Sequence, residues 1–365
     1  MARSASPAKT ARLPSLDGLR ALSIAAVLAG HAAPSMGIAL RLSKCGDLGA
    51  LGVRVFFTIS GFLITSLLLE EFDSSGRISI PGFYLRRTFR IFPAFYVYAG
   101  AIGLCAAGQW ISLRPGDLLA ALTYTTNYHY DRSWWLGHAW SLAVEEQFYL
   151  LFPLVFACFG RRAAAIASAA MIAISPMVRV FLISNAGLCD AAGEAFPAVA
   201  DTIAMGCLLA MANPWLGRQP RYLAALRSRA FALIPAAVLL LNSVHGGRIR
   251  GGLIDSLIAI LIALIIDRCV RFPDGVSGRV LNSWPFVQAG VLSYSIYLWQ
   301  QPFLTRFVSY PCQRFPFNVV CLALAAWLSY RFVERPFLTL RRRIEQFRRS
   351  RRAIAPAASS RGMAL

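Results

Sequence analysis

The stretch HAWSLAVEEQFYLLFPLVFACF, residues 138–159, is long and apolar enough to cross a bilayer, yet it carries two adjacent carboxylates near its start. A spanning helix needs about 20 predominantly apolar residues, and a charge inside one costs roughly 2.5–3.5 kcal/mol on insertion scales. Acids in such a place need a partner or a task. Ser141, Glu145 and Tyr149 fall at i, i+4 and i+8, so a helix stacks them on one face, whereas Glu146 lies about 100° around it.

Comparable apolar runs recur at 16–36, 49–71, 91–110, 163–184, 195–213, 230–245, 252–270, 285–307 and 315–334, making ten with 139–159. Of the 365 residues 57% are apolar and 15% charged, against roughly 25% charged in an ordinary soluble domain. The pattern predicts an all-α polytopic transmembrane helix bundle of about ten spans. It divides into a short N-terminal segment over 1–12, a membrane domain over 13–340 and a basic tail over 341–365, disordered after about residue 350.

Lys and Arg number 37 against 17 Asp and Glu, a net charge of +20. In a soluble protein that excess would suggest nucleic acid. Here the basic residues gather between apolar runs and in the tail from Arg341 to Arg352, which suits an anionic leaflet and excludes nucleic acid as the expected partner. With the basic N-terminus inside, most loop cations fall on that same side, so both termini are expected in the cytoplasm and the protein in a bacterial inner membrane. The first apolar run lacks a small-residue cleavage site and reads as a retained helix. The eight cysteines form no CxxC pair and no Cys/His cluster, so no metal site is expected. Cys45, Cys189 and Cys312 fall in loops assigned to the outside, which leaves a disulfide among them open.

Arg20 and His31 are eleven residues apart, three turns plus about 20°, and share one helix face roughly 16 Å apart along the axis. His31 reads either as a hydrogen-bonded core histidine or as a general base, and the second reading requires an orienting carboxylate, for which Glu145 is the candidate. In FYLRRTFR, Arg86, Arg87 and Arg90 fall at i, i+4 and i, i+3 spacing, either as simple cytoplasmic anchors or as a guanidinium cluster for phosphates. Arg54, Ser60, Asp201 and Arg306 are further polar groups inside apolar runs. Arg331 with Glu334, or Glu334 with Arg335, reads as a structural ion pair closing the last helix before Pro336. The connection Gln109 to Gly137 is rich in Trp, Tyr and Asn, suited equally to interfacial anchoring and to holding a polar ligand.

Taken in order, LPSLDGLRALSIAAVLAGH, GVRVFFTISGFLIT, FYLRRTFRIFP, HAWSLAVEEQFYLLFP, DTIAMGCLLA, SYSIYLWQQPF and VERPF resemble the acyltransferase 3 family of bacterial membrane proteins, from about Leu13 to Leu340. That resemblance implies acyl-CoA as co-substrate at the cytoplasmic face, no tightly bound cofactor, and a glycan or lipid-linked acceptor whose hydroxyl is acylated. It implies His31 as the essential catalytic residue, Arg86, Arg87 and Arg90 in the donor segment, and Trp140, Ser141 and Glu145 as a second signature; Arg20 would steady the donor. Gln300 stands where many relatives have His, which takes proton exchange away from that position. The sequence ends without the extracytoplasmic hydrolase-like domain of some relatives, so transfer is expected within the membrane domain or through a separate partner. A transporter or flippase for a glycolipid is the rival reading, because inward-facing polar groups also line conduction paths. No pair of broken helices in corresponding halves favours it.

Overall fold

The computed structural model describes residues 14–32, 46–305 and 310–354. Among these the protein is built of helices, with no strand. The principal ones are α1 (Pro14–Ala32), α2 (Leu48–Ser75), α3 (Ile80–Ala107), α4 (Asp117–Leu122), α5 (Trp134–Gly137), α6 (Ala139–Ser184), α7 (Phe196–Leu216), α8 (Pro220–Arg227), α9 (Leu233–Asn242), α10 (Asp255–Arg271), α11 (Val276–Leu281), α12 (Trp284–Phe303), α13 (Phe317–Ser329) and α14 (Arg335–Ile354). The N-terminal segment, Cys45, Arg306 and the end of the tail lie outside the described residues. Helix α14 runs through Ile354, a few residues past the expected onset of disorder.

Local signals set the boundaries. Asp47 caps α2 by accepting from the Ala50 amide at 2.9 Å, and Gly76 ends it in the left-handed region at φ 69°. Ser79 caps α3 through the Gly82 amide. Apolar runs 139–159 and 163–184, read separately in the sequence, form the two helical halves of α6, which meet at a kink at Gly160, where φ is 80° and ψ −178°. Only glycine takes that conformation without strain.

Among the described residues six helices are long and apolar enough to cross a membrane, or seven if the pair Pro220–Arg227 and Arg229–Asn242, bent by 61°, counts as one span. The protein is thus a multi-pass membrane bundle. Helices α1 and α12 are not among the six. They occupy two of the ten apolar runs but carry Asp17, Arg20 and His31, and Ser293, Ser295, Gln300 and Gln301, which dilute their hydropathy.

Helix α2 packs on α7, α7 on α6, and α1 lies between α12 and α2. Without water to drive helices together, a membrane bundle relies on small residues for close approach. A Cβ at Gly61 would fall 2.0 Å from the Ile203 carbonyl, and one at Gly206 2.1 Å from that of Thr58. Two buried arginines elsewhere are paired. Arg179 donates to both Asp201 oxygens at 2.9 and 2.7 Å, to Ser256 and to the carbonyls of Ala198 and Gly251, tying α6 to α7 and α10. Arg54 meets Asp255 at 2.9 Å.

One expected pairing differs. Glu334 is buried and accepts from Ser295 on α12, not from Arg331 or Arg335, because a π-helical turn over Tyr330–Glu334 directs its carboxylate inward. Cys189 and Cys312 are free thiols.

Candidate active site

A cavity of about 90 Å³ opens where α1, α2, α3, α6 and α12 converge. Its walls follow from helical periodicity. Ser141, Glu145 and Tyr149 line it from α6, as their spacing anticipates, and Ser293, Tyr294 and Tyr297 face them from α12. Arg20 enters from α1, Ser60 from α2, Arg87 and Arg90 from α3. Phe56 and Phe57 complete an apolar side.

Charge is unevenly settled here. Glu145 accepts from the Ser60 hydroxyl at 2.7 Å, and Arg20 lies 3.3 Å from Asp17. The Arg87 guanidinium sits over the Tyr149 and Phe83 rings, 5.0 and 5.8 Å from their centroids. Neither Arg87 nor Arg90 has an ion-pair partner among the described residues. The arginine cluster read from FYLRRTFR is therefore divided. Arg86 pairs with Glu71 at 2.8 Å, while the other Glu71 oxygen accepts from the Ser79 amide at the start of the same helix. Arg20 takes the third place in the cavity. Trp140 packs edge-on against Phe57, outside the cavity lining.

His31 lies three turns beyond Arg20 on α1 and does not line the cavity. The carboxylate partner expected for it is not Glu145, whose nearest hydrogen bond is to Ser60. Instead His31 Nδ1 lies 3.0 Å from Gln300 Oε1, and its ring meets Trp134 edge-on at 5.4 Å. Gln300 is fully buried, and its Nε2 makes no hydrogen bond. With the amide oxygen accepting from Nδ1–H, the lone pair of Nε2 is left free. Helical spacing offered the signal for this missed partner: Ser293, Tyr297 and Gln300 stand at i, i+4 and i+7 on one α12 face.

Hydroxyls join α6 to α12 across the cavity wall. Tyr297 and Ser141 lie 2.6 Å apart, and Tyr297 also donates to the His138 carbonyl at 3.0 Å. The connection over 109–137 places Trp134 against His31, and Trp134 Nε1 donates to the Gln301 carbonyl at 2.9 Å. Asp117 holds this connection in shape by accepting from the amides of Arg114 and Ser133 and lying 3.0 Å from His129 Nε2. Burial alone would raise its carboxyl pKa, but the hydrogen bonds from Ser133, Arg114 and His129 outweigh it and hold the group below the usual carboxylate range.

The site thus consists of arginines and a glutamate around a cavity inside a polytopic helical bundle, with a histidine beyond it. The chain belongs to the acyltransferase 3 family, matching its acyltransferase domain over residues 13–332. It is 30% identical to a Staphylococcus aureus (strain COL) protein named "Putative O-acetyltransferase", covering 89% of this chain and 57% of that one. It is 28% identical to the O-acetyltransferase OatA of S. aureus (strain NCTC 8325 / PS 47), over 89% of this chain and 57% of OatA. With "Putative peptidoglycan O-acetyltransferase YrhL" of Bacillus subtilis it shares 27% identity, over 90% of this chain and 55% of YrhL. The chain thus spans little more than half the length of these relatives. No solved structure matches it.

Proposed function

We propose that the protein is an O-acyltransferase that moves an acetyl or other short acyl group from cytoplasmic acyl-CoA to a hydroxyl of an extracytoplasmic or lipid-linked glycan. The observation that carries this reading is the convergence of Arg20, Arg87 and Arg90 on one cavity inside an apolar bundle. Buried guanidiniums are costly, and those left without a carboxylate await an anion. The phosphates of the donor supply it, in bidentate geometry that lysine does not reproduce. Glu145, held by Ser60, balances part of that charge.

In this scheme His31 Nε2 takes the proton from the acceptor hydroxyl, while the Gln300 amide oxygen fixes the ring through Nδ1–H. The acceptor oxygen attacks the thioester carbon, the carbon–sulfur bond breaks, and the thiolate leaves as CoA. Gln300 is a positioning residue: it need not exchange protons to act. The acceptor enters past the 109–137 connection. Ten spans with both termini in the cytoplasm would put Arg87 and Arg90 toward the donor side and His31 toward the acceptor side.

The test is acceptor-dependent release of free thiol from acyl-CoA by the purified protein, with His31→Gln as control. Gln keeps a hydrogen bond but cannot accept a proton, and general-base catalysis contributes about 10²–10⁴-fold, so at least a hundredfold loss is expected at unchanged expression. A transporter would release no thiol.

A further inference from the structure

The end of the bundle carries a second cation site, unrelated to the cavity. The sequence from Tyr330 reads YRFVERPFLTLRRRIEQF, and the chain passes from α13 through the π-helical turn Tyr330–Glu334 into α14. Arg331, Arg335, Thr339 and Arg343 repeat every four residues and lie along one face. With Pro336 and Leu340 they enclose a groove of about 310 Å³. Repetition at helical spacing makes this a ladder of guanidiniums.

Among the described residues none of the three arginines has a carboxylate partner, although carboxylates are available to others. Arg341, on the same helix, pairs with Glu345, and the one nearby buried acid, Glu334, is turned inward to Ser295. Beside the ladder stand exposed apolar side chains: Phe332 at 65%, Leu340 at 46% and Phe337 at 40% of full exposure. The Arg331 guanidinium lies 5.8 Å from the Phe332 ring centroid. Helix α14 is held to the body through α3, where Phe337 meets Phe89 at 6.1 Å. The groove shares no residue with the arginine cavity.

We infer that this groove binds the phosphate of an anionic phospholipid, the guanidiniums taking the headgroup and the exposed Phe332, Phe337 and Leu340 lying against its acyl chains. A soluble polyanion would need the cations alone. Apolar side chains in the same patch, where the last span gives way to a polar helix, fit a ligand with one charged end and one apolar end.

The experiment uses the full chain in nanodiscs of phosphatidylcholine doped with phosphatidylglycerol, with retained lipid counted by native mass spectrometry after detergent extraction. The triple variant Arg331→Gln, Arg335→Gln, Arg343→Gln should lose at least about tenfold in phosphatidylglycerol retention relative to phosphatidylcholine, from three surface cations removed. The matching triple Lys variant should retain more than the Gln variant but less than the parent, because charge stays and the bidentate fork is lost. Thermal unfolding of each variant in phosphatidylcholine alone should be unchanged, which separates binding from folding. Equal retention of both lipids by the parent, or unchanged phosphatidylglycerol retention in the Gln variant, overturns the assignment. So does a Gln variant that keeps its lipid but shows a raised KM for acyl-CoA, which would make the groove part of the donor site.

Discussion

Arg179 and Arg87 are both arginines deep in an apolar bundle, and they could hardly be placed more differently. Arg179 has its donors filled by a bidentate carboxylate, a hydroxyl and two backbone carbonyls. Arg87 rests on two aromatic faces and opens onto a cavity it shares with Arg20 and Arg90. The first is a saturated cation whose task is complete in the folded chain. The second has guanidinium donors with no hydrogen-bond or ion-pair partner among the described residues, as the proposed donor site requires. Saturation of hydrogen-bonding capacity, rather than burial, separates structural charge from functional charge.

The largest effect expected from this contrast lies on the saturated side. Asp201→Asn leaves Arg179 as an uncompensated buried cation and should cost about 3–5 kcal/mol of stability, read as loss of folded protein from the membrane fraction. On the open side, Arg87→Gln and Arg90→Gln should leave folding intact and raise the KM for acyl-CoA about tenfold each, as expected for a charged hydrogen bond worth about 1.5–3 kcal/mol. A stability loss in Arg87→Gln as large as that of Asp201→Asn would erase the distinction.

Two smaller tests sharpen it. Gln300→Leu removes the oxygen that accepts from His31 Nδ1–H and should lower kcat about tenfold at unchanged KM for acyl-CoA, as expected for loss of one hydrogen bond worth about 0.5–1.5 kcal/mol. Gln300→Asn or Gln300→His, which keep a polar acceptor, should recover part of the rate, whereas a residue that only packed there would tolerate Leu. Asp117→Asn removes a carboxylate held in its charged form, whose contribution is present above about pH 3.9, the unfolded value, and disappears as pH falls through its lower folded value. Hydrogen exchange over 112–137 should therefore be about 1 kcal/mol less protected in the variant at pH 7, with the difference from the parent vanishing in strong acid.

The sequence was most legible where one helix carried the whole signal. The apolar runs mark where helices lie, and Ser141, Glu145 and Tyr149 line one cavity as their spacing requires. It was least legible where a partner came from far along the chain. Gln300 is 269 residues from His31, and although the spacing of Ser293, Tyr297 and Gln300 puts the amide on one α12 face, nothing local says that this face meets His31. Arg86 failed to join its neighbours because Glu71, across the α2–α3 connection, offered a nearer charge. The kink at Gly160 divides the two apolar runs of α6 where the sequence reading divides them, at a glycine whose φ of 80° other residues rarely adopt.

The crossing of α2 and α7 acts as a steric gauge. Backbones that meet at Gly61 and Gly206 with no space for a methyl group cannot approach further, and any larger residue there would wedge them apart. Ser60, adjacent to that contact, forms part of the cavity wall and holds Glu145. The depth of the chamber is therefore fixed from behind, by residues that never touch its contents.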